Sequence, residues 1–193
     1  MRTTMAAIIN RLRSMTNTSL IDYTQSTGQV FWDDQHLNDI LDQYRVDVYR
    51  EALQPDAVMT SGGTAEYRIY NAMESNWETS DGGTAVFYVQ DNNWATVAGS
   101  LYAADYIRGR VTFTTNTLGS AYFLTGSTYD LPAAAADVWR QKAAHFSEHV
   151  SFSADGMSIN RQQLISNCLM MADKYAAQTG AMVATIYRSD VNA

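Results

Sequence analysis

The spacing of apolar residues changes twice along this chain, and that change limits the folds open to it. Residues 1–55 and 129–180 carry apolar side chains three and four residues apart, as amphipathic helices do. Residues 57–128 are dominated by glycine, threonine, asparagine and aromatics, and their apolar residues tend to alternate with polar ones. The sequence therefore predicts helices at both ends and a β segment between them.

Two helices are predicted in the N-terminal part. The first covers Met1–Asn17. The second begins at Asp33 or Asp34, either of which can cap the first turn, and ends at Pro55, because proline cannot continue a helix. Its apolar stripe consists of Leu37, Ile40, Leu41, Tyr44 and Val48.

The middle of the chain is predicted to form a small, mostly antiparallel β domain. Gly62-Gly63 and Gly82-Gly83 are turn signals, and both lack the lysine and the strand-to-helix context of a phosphate loop. We interpret both pairs as hairpin turns. The strand-like segments are Thr64–Tyr70, Thr84–Gln90, Arg110–Thr115 and Ala121–Leu124.

A helical hairpin and an arm are predicted to follow. The third helix starts after Asp130, with Pro132 in its first turn, and runs through His145 to Phe152. A turn at Ala154–Gly156 leads to a fourth helix over residues 160–178, before Gly180. Residues 181–193 are predicted to be an extended arm that buries its apolar residues only against a partner. Its docking residues are Met182, Val183, Ile186 and Tyr187.

These elements predict an α+β fold. Two N-terminal and two C-terminal helices would form an antiparallel bundle, with the small antiparallel β domain inserted and the C-terminal arm extended. The predicted units are the N-terminal helices (1–55), the β domain (56–128), the C-terminal hairpin (129–180) and the arm (181–193).

Composition excludes some classes of protein. The single cysteine, Cys168, cannot form an intrachain disulfide, and its apolar stripe predicts a buried thiol. No apolar run is long enough to span a bilayer, so we expect a chain that stays in the cytoplasm and has no membrane partner. The net charge of −7 argues against a surface that grips phosphates. It does not exclude a conduit through which nucleic acid slides, because a conduit should repel nucleic acid rather than grip it.

One short motif resembles a catalytic signature. His145-x-x-Glu148-His149 matches the H-x-x-E-H pattern of inverted zinc peptidases, in which two histidines on one helical face share a metal. A third ligand is needed, and Asp173 is the only acidic residue within the fourth helix. A zinc-dependent hydrolase is therefore kept as an alternative hypothesis. We assign no catalytic residue and no cofactor, and we interpret the three residues as a helix face.

Aromatic residues crowd the β segment. Such side chains build the core of a small β domain or a protein interface, and they can also stack on sugars or bases. A glycan-binding module is therefore a second alternative, with Trp77 and Trp94 as its test positions. The aromatics are Tyr67, Tyr70, Trp77, Phe87, Tyr88, Trp94, Tyr102, Tyr106, Phe113, Tyr122 and Phe123.

Several stretches resemble the head–tail connector proteins of tailed bacteriophages, also called adaptor or head-completion proteins. A short helix at Ile9–Arg13 precedes the aspartate-capped helix pattern in Phe31–Arg45. The glycine-then-strand unit is Tyr106–Phe113, and the C-terminal part of the resemblance lies in Tyr129–Lys142 and Arg161–Tyr175. The inserted β domain departs from the smallest, all-helical members.

The resemblance implies a structural virion protein without enzymatic activity. Such proteins form a homo-oligomeric ring, commonly of twelve copies, under the portal protein in the neck of the virion. They extend the DNA channel and offer an attachment surface to a tail or stopper protein, while DNA passes through the lumen without specific binding. Their C-terminal segments often dock on the portal, and assembly takes place in the host cytoplasm.

Overall fold

The structure is a computed structural model that describes residues 3–19, 31–81, 84–148, 152–154, 157–159 and 161–179. Its helices are α1 (Ala6–Thr16), α2 (Asp34–Gln43), α3 (Leu131–Glu148) and α4 (Arg161–Ala176). Its longer strands are β1 (Arg45–Ala52), β2 (Gln54–Met59), β3 (Ala65–Asn71), β7 (Tyr102–Asp105), β8 (Arg110–Phe113) and β9 (Phe123–Tyr129). Shorter strands are β4 (Ser80–Asp81), β5 (Thr84–Ala85), β6 (Tyr88–Gln90), β10 (Phe152–Ala154) and β11 (Met157–Ile159).

Helix α2 is shorter than predicted. Its start is confirmed, because the Asp33 side chain accepts a hydrogen bond from the backbone N–H of His36 at 2.7 Å. The predicted continuation to Pro55 is wrong, since the helix ends at Gln43 and residues 45–52 form strand β1. Val46 and Val48 suit a strand as well as a helix, and antiparallel pairing with β9 decides between them.

The predicted four-helix bundle is also wrong. The helical core is built by α1, α2 and the first part of α3, together with Trp32, Tyr129 and Leu131. Helix α4 packs along α3 and contributes to this core only through the partly buried Tyr175. The fold is mixed α and β. Helices α1 and α2 pack on α3, and α4 packs against α3. Only Tyr175 of α4 reaches the core that the other three helices share, so the four helices do not form one bundle.

The connection between α3 and α4 differs from the expected turn. Helix α3 ends at Glu148 and does not reach Phe152. Strands β10 and β11 pair antiparallel around the predicted turn position, with Ala154 opposite Met157. A β-hairpin therefore joins the two helices where a simple turn was expected.

The β segment is antiparallel, as predicted. The order of the larger sheets is β1-β9-β6 and β2-β3-β8-β7, and β4 pairs with β5 across Gly82-Gly83. The predicted strands Thr64–Tyr70 and Arg110–Thr115 correspond to β3 and β8, and Thr84–Gln90 holds both β5 and β6. The predicted strand Ala121–Leu124 overlaps only the start of β9. Both larger sheets share one buried core, formed by Leu53, Tyr70, Trp77, Phe87, Val89, Val111, Phe113 and Leu124.

Trp77 occupies the centre of this core. The residue is 1% exposed, and its indole N–H donates to the carbonyl of Glu74 at 2.9 Å. A Cβ atom on Gly126 of β9 would lie 3.0 Å from the ring carbon Cε3. A Cβ on Gly109, before β8, would collide with the Glu74 carbonyl and lie 3.1 Å from Nε1. The indole therefore fits only because two glycines leave room for it.

The sheet core and the helical core meet at the end of β9. The hydroxyl of Tyr129 donates to the carboxylate of Glu78 at 2.6 Å, and both residues are buried. The next residue, Asp130, donates its N–H to the Tyr44 carbonyl and accepts from the N–H of Ala133. Asp130 thus starts α3 and fixes the exit from α2 at the same time.

We expect Gly109→Ala to lower the free energy of unfolding by about 2–4 kcal/mol, because it adds a backbone collision to the strain of a positive φ. Gly63→Ala is the matched control. Gly63 has φ +75°, but a Cβ there would meet nothing within 4 Å. We therefore expect Gly63→Ala to lower the free energy of unfolding by only about 1 kcal/mol. Urea unfolding of both variants measures the difference. Equal losses would contradict the close fit around Trp77.

Candidate assembly surface

The C-terminal end of α1 is capped by side chains from the other helices. The Lys142 ammonium of α3 donates to the carbonyls of Thr16 and Asn17 at 2.7 and 2.8 Å. The Tyr175 hydroxyl of α4 donates to the Met15 carbonyl at 3.0 Å. Carbonyls at a helix end lack partners within the helix, and a cation there is favoured by the helix dipole. These bonds therefore hold α1, α3 and α4 together.

An apolar cavity of about 400 Å³ lies beside this cap. Lys142 crosses its wall, with the ammonium 4.8 Å from the centre of the Trp139 ring. His145 and Asn167 add polar edges. The remaining wall consists of Asn17 and of the apolar residues Phe31, Trp32, Trp139, Phe146, Leu164 and Cys168. Its position places an apolar recess directly beside the α3–α4 contact.

Helix α4 buries very little of its surface. Of its 16 residues, only Cys168 and Ala172 are buried. Leu169 is 45% exposed and Met170 is 63% exposed on the same helix. We call these two residues the α4 face. A helix with only two fully buried positions leaves apolar area available for a contact with another chain.

The buried thiol predicted for Cys168 is confirmed. The residue is 5% exposed, and burial raises the pKa of the thiol. Its side chain faces the cavity wall and behaves as a small apolar group. Because a raised pKa keeps sulfur protonated, the environment disfavours a nucleophilic thiolate.

The residues of the alternative zinc hypothesis are only partly described. His145 lies on α3 beside the cavity, with its ring centre 5.7 Å from that of Phe146. His149 and the side chain of Glu148 lie outside the described residues, and Asp173 is exposed on α4. Within the described ranges, no three histidine, cysteine, aspartate or glutamate residues are grouped to hold a metal ion.

The predicted docking residues Met182, Val183, Ile186 and Tyr187 lie outside the described residues. In the part of the chain that is described, no helix is long and apolar enough to cross a membrane. Exposed apolar side chains among the described residues lie on α4, at Leu169 and Met170, and in the β segment, at Val58 and Met59.

Four of the eleven aromatics in the β segment are buried in the core, and Tyr102, Tyr106 and Tyr122 pack against it. Tyr70, Trp77, Phe87 and Phe113 are buried, and edge-to-face contacts join neighbouring rings. Trp77 therefore cannot stack on a ligand. Trp94 is 44% exposed and lies against Phe123, with ring centres 4.7 Å apart.

Strand β1 contains a feature that sequence reasoning missed. Its pairing with β9 shifts between Val48 and Glu51, so Tyr49 and Arg50 form a bulge. The Glu51 carboxylate accepts from the Met73 backbone N–H, while its second oxygen is buried without a hydrogen-bond partner. Burial raises the pKa of Glu51, with the nearby Glu74 adding to the effect. The bulge was missed because this segment was predicted to be helical.

The comparisons with known proteins identify no relative. The chain matches no protein-family model, no curated protein and no solved structure. The functional interpretation consequently depends on the residues and surfaces described above.

We expect Lys142→Met to lower the free energy of unfolding by about 1–3 kcal/mol, because the methionine retains the apolar stem but leaves two helix-end carbonyls without their charged donor. Lys174→Met is the control, since Lys174 is an exposed lysine in the last turn of α4. Thermal and urea unfolding compare them. If both variants lose the same small amount of unfolding free energy, the cap does not hold α1 in place.

The raised pKa of Glu51 sets a direction for pH dependence. The folded chain holds this proton to a higher pH than the unfolded chain, so wild-type stability falls as pH rises from the unfolded to the folded pKa. Glu51→Gln has no such titration, and we expect it to gain stability relative to wild type across that interval. Urea unfolding over a pH series measures this. A relative loss in the variant would show that the Met73 N–H favours the carboxylate more than burial disfavours it.

Proposed function

We propose that this chain is a structural virion protein, a head–tail adaptor that forms a homo-oligomeric ring under the portal protein. The observation that carries the proposal is the α4 face, where a 16-residue helix buries only two of its residues. Burying apolar surface is the main driving force for association between chains. Leu169 and Met170 would be covered when neighbouring copies meet.

A ring needs two different surfaces on each copy, because head-to-tail contacts join unlike patches. The helical part offers the α4 face. The β part offers strand β2, an edge strand whose six residues are all exposed, including Val58 and Met59. Pro55 and the pairing irregularity at Asp56/Ala57 interrupt this edge, which limits indiscriminate strand pairing.

The charge of the chain fits the remaining parts of the proposal. The ring extends the DNA channel and carries an attachment surface for a tail or stopper protein. With a net charge of −7, the chain repels the DNA backbone on balance, which favours passage over retention. The C-terminal arm, residues 181–193, is proposed to dock on the portal.

The mass of the purified full chain, alone and mixed with the portal protein of the same virus, tests the proposal. Sedimentation velocity should show a multi-copy assembly or a complex with the portal ring. A chain that stays monomeric under both conditions would contradict it.

Two variants connect the test to the α4 face. Leu169→Asp and Met170→Asp should each reduce assembly about tenfold or more, because a charge replaces apolar contact area. Leu118→Asp is the matched control, since Leu118 is 81% exposed but lies outside both the α4 face and strand β2. All three should melt near the wild-type temperature. Equal assembly by all three would exclude the α4 face as a contact between copies.

A further inference from the structure

The bulge in β1 holds an arginine in a strained backbone conformation. Arg50 has φ +55°, in the left-handed region that β-carbon-bearing residues other than asparagine and aspartate seldom occupy. Its backbone N–H donates to the Thr125 hydroxyl at 3.1 Å, where a regular strand would bond to a carbonyl. The conformation thus has a definite partner that keeps it in place.

A tight turn places Trp94 beside this bulge. Trp94 also has a positive φ, +65°, and its N–H donates to the Asp91 carbonyl. The Asp91 carboxylate accepts from the N–H groups of Asn93 and Ala95, which fixes the turn. Two strained residues are therefore held on neighbouring elements.

A chain of hydrogen bonds connects the turn to the bulge. The Thr125 hydroxyl donates to the side-chain carbonyl of Gln90 at 3.3 Å, and the Gln90 amide donates to the Trp94 carbonyl at 3.0 Å. Thr125 and Gln90 are both buried. These bonds fix the position of Trp94 relative to Arg50.

The result is an arginine stacked on two aromatic rings. The guanidinium carbon of Arg50 lies 4.2 Å from the Trp94 ring centre and 4.7 Å from the Tyr49 ring centre. Tyr49 is 59% exposed and Trp94 is 44% exposed. Tyr49, Arg50 and Trp94 are here called the arginine stack.

The guanidinium has no hydrogen bond or ion pair with any described residue, and its Nε atom is buried without a partner. Arg13, Arg45 and Arg68 in the same chain each pair with a carboxylate. Two strained residues and a partly desolvated cation all cost stability, and such costs concentrate at sites with a function.

We propose that the arginine stack is a carboxylate-binding site that receives an acidic side chain from a second copy of this chain. Rings that cover the guanidinium plane leave its edge for an acceptor, and a carboxylate fits that edge with two parallel hydrogen bonds. Tyrosine, arginine and tryptophan are also the residues that dominate binding energy at protein interfaces.

Charge complementarity favours a second copy of this chain as the partner. The chain has 20 acidic against 13 basic side chains, so each copy brings an excess of carboxylates to its neighbours. Asp56, Glu74 and Asp173 are exposed and form no ion pair with a described residue. In a ring, every copy would then supply one arginine stack and place one of its carboxylates in the arginine stack of a neighbour. This inference depends on the proposed ring.

The test measures assembly and folding separately. Arg50→Asn suits the left-handed backbone but removes the guanidinium, so it should melt at or above the wild-type temperature while self-association falls about tenfold or more. Arg50→Lys keeps the charge but not the paired donors and should also assemble less. Arg68→Gln is the control, since Arg68 already pairs with Glu66, and it should assemble as wild type does.

Charge reversal identifies the acceptor. Asp56→Arg, Glu74→Arg and Asp173→Arg are each measured by sedimentation velocity, alone and combined with Arg50→Glu. One of the three reversals should abolish assembly, and combining that reversal with Arg50→Glu should restore it.

Three outcomes would overturn the inference. If wild type assembles and the Arg50 variants assemble equally well, the arginine stack is excluded while the ring stands. If Arg50→Asn forms rings but loses only a tail or stopper protein, the partner is not a second copy. If wild type neither self-associates nor binds the portal ring, the proposed function fails and the inference fails with it.

Discussion

The fit of the Trp77 indole between Gly109 and Gly126 is the contact on which the β part of this protein depends. The ring lies in a core that both larger sheets share, and its N–H satisfies the Glu74 carbonyl. Gly126 belongs to β9 and Gly109 precedes β8, so one side chain fixes the distance between two sheets. Beyond Trp77, buried Glu78 accepts from Tyr129, which ties this core to the helical one.

The helical part uses a different device. Helix α1 ends in a left-handed Asn17, whose N–H donates to the Arg13 carbonyl, while the carbonyls of Met15 and Thr16 find donors on α4 and α3. Since Lys142 and Tyr175 are more than a hundred residues away in sequence, the end of α1 is completed only when the C-terminal helices arrive. Helix α4 is needed for this cap and yet leaves Leu169 and Met170 exposed. That combination supports an assembly role for α4.

Local chemistry made some elements predictable. Asp33 caps α2 because its carboxylate reaches an N–H three residues on, and Asp130 starts α3 in the same way. The alternation at Arg110–Phe113 places Val111 and Phe113 in the core, as a half-buried strand requires. The helix predicted over residues 45–52 was wrong because Val46 and Val48 fit a helix and a strand alike. The arginine stack was missed for the same reason, since it exists only if that segment is a bulged strand.

The sequence by itself determined that helices flank a β segment, that Asp33 and Asp130 start α2 and α3, and that Cys168 is buried, because these follow from interactions between residues close along the chain or from apolar spacing. Tertiary structure decided that residues 45–52 pair with β9, that α4 lies outside the helical core, and that Arg50 meets Trp94. The physical reason is that hydrogen bonds between strands and contacts between rings join residues far apart in sequence. The spacing of residues along one segment carries no information about which distant segment will be its neighbour.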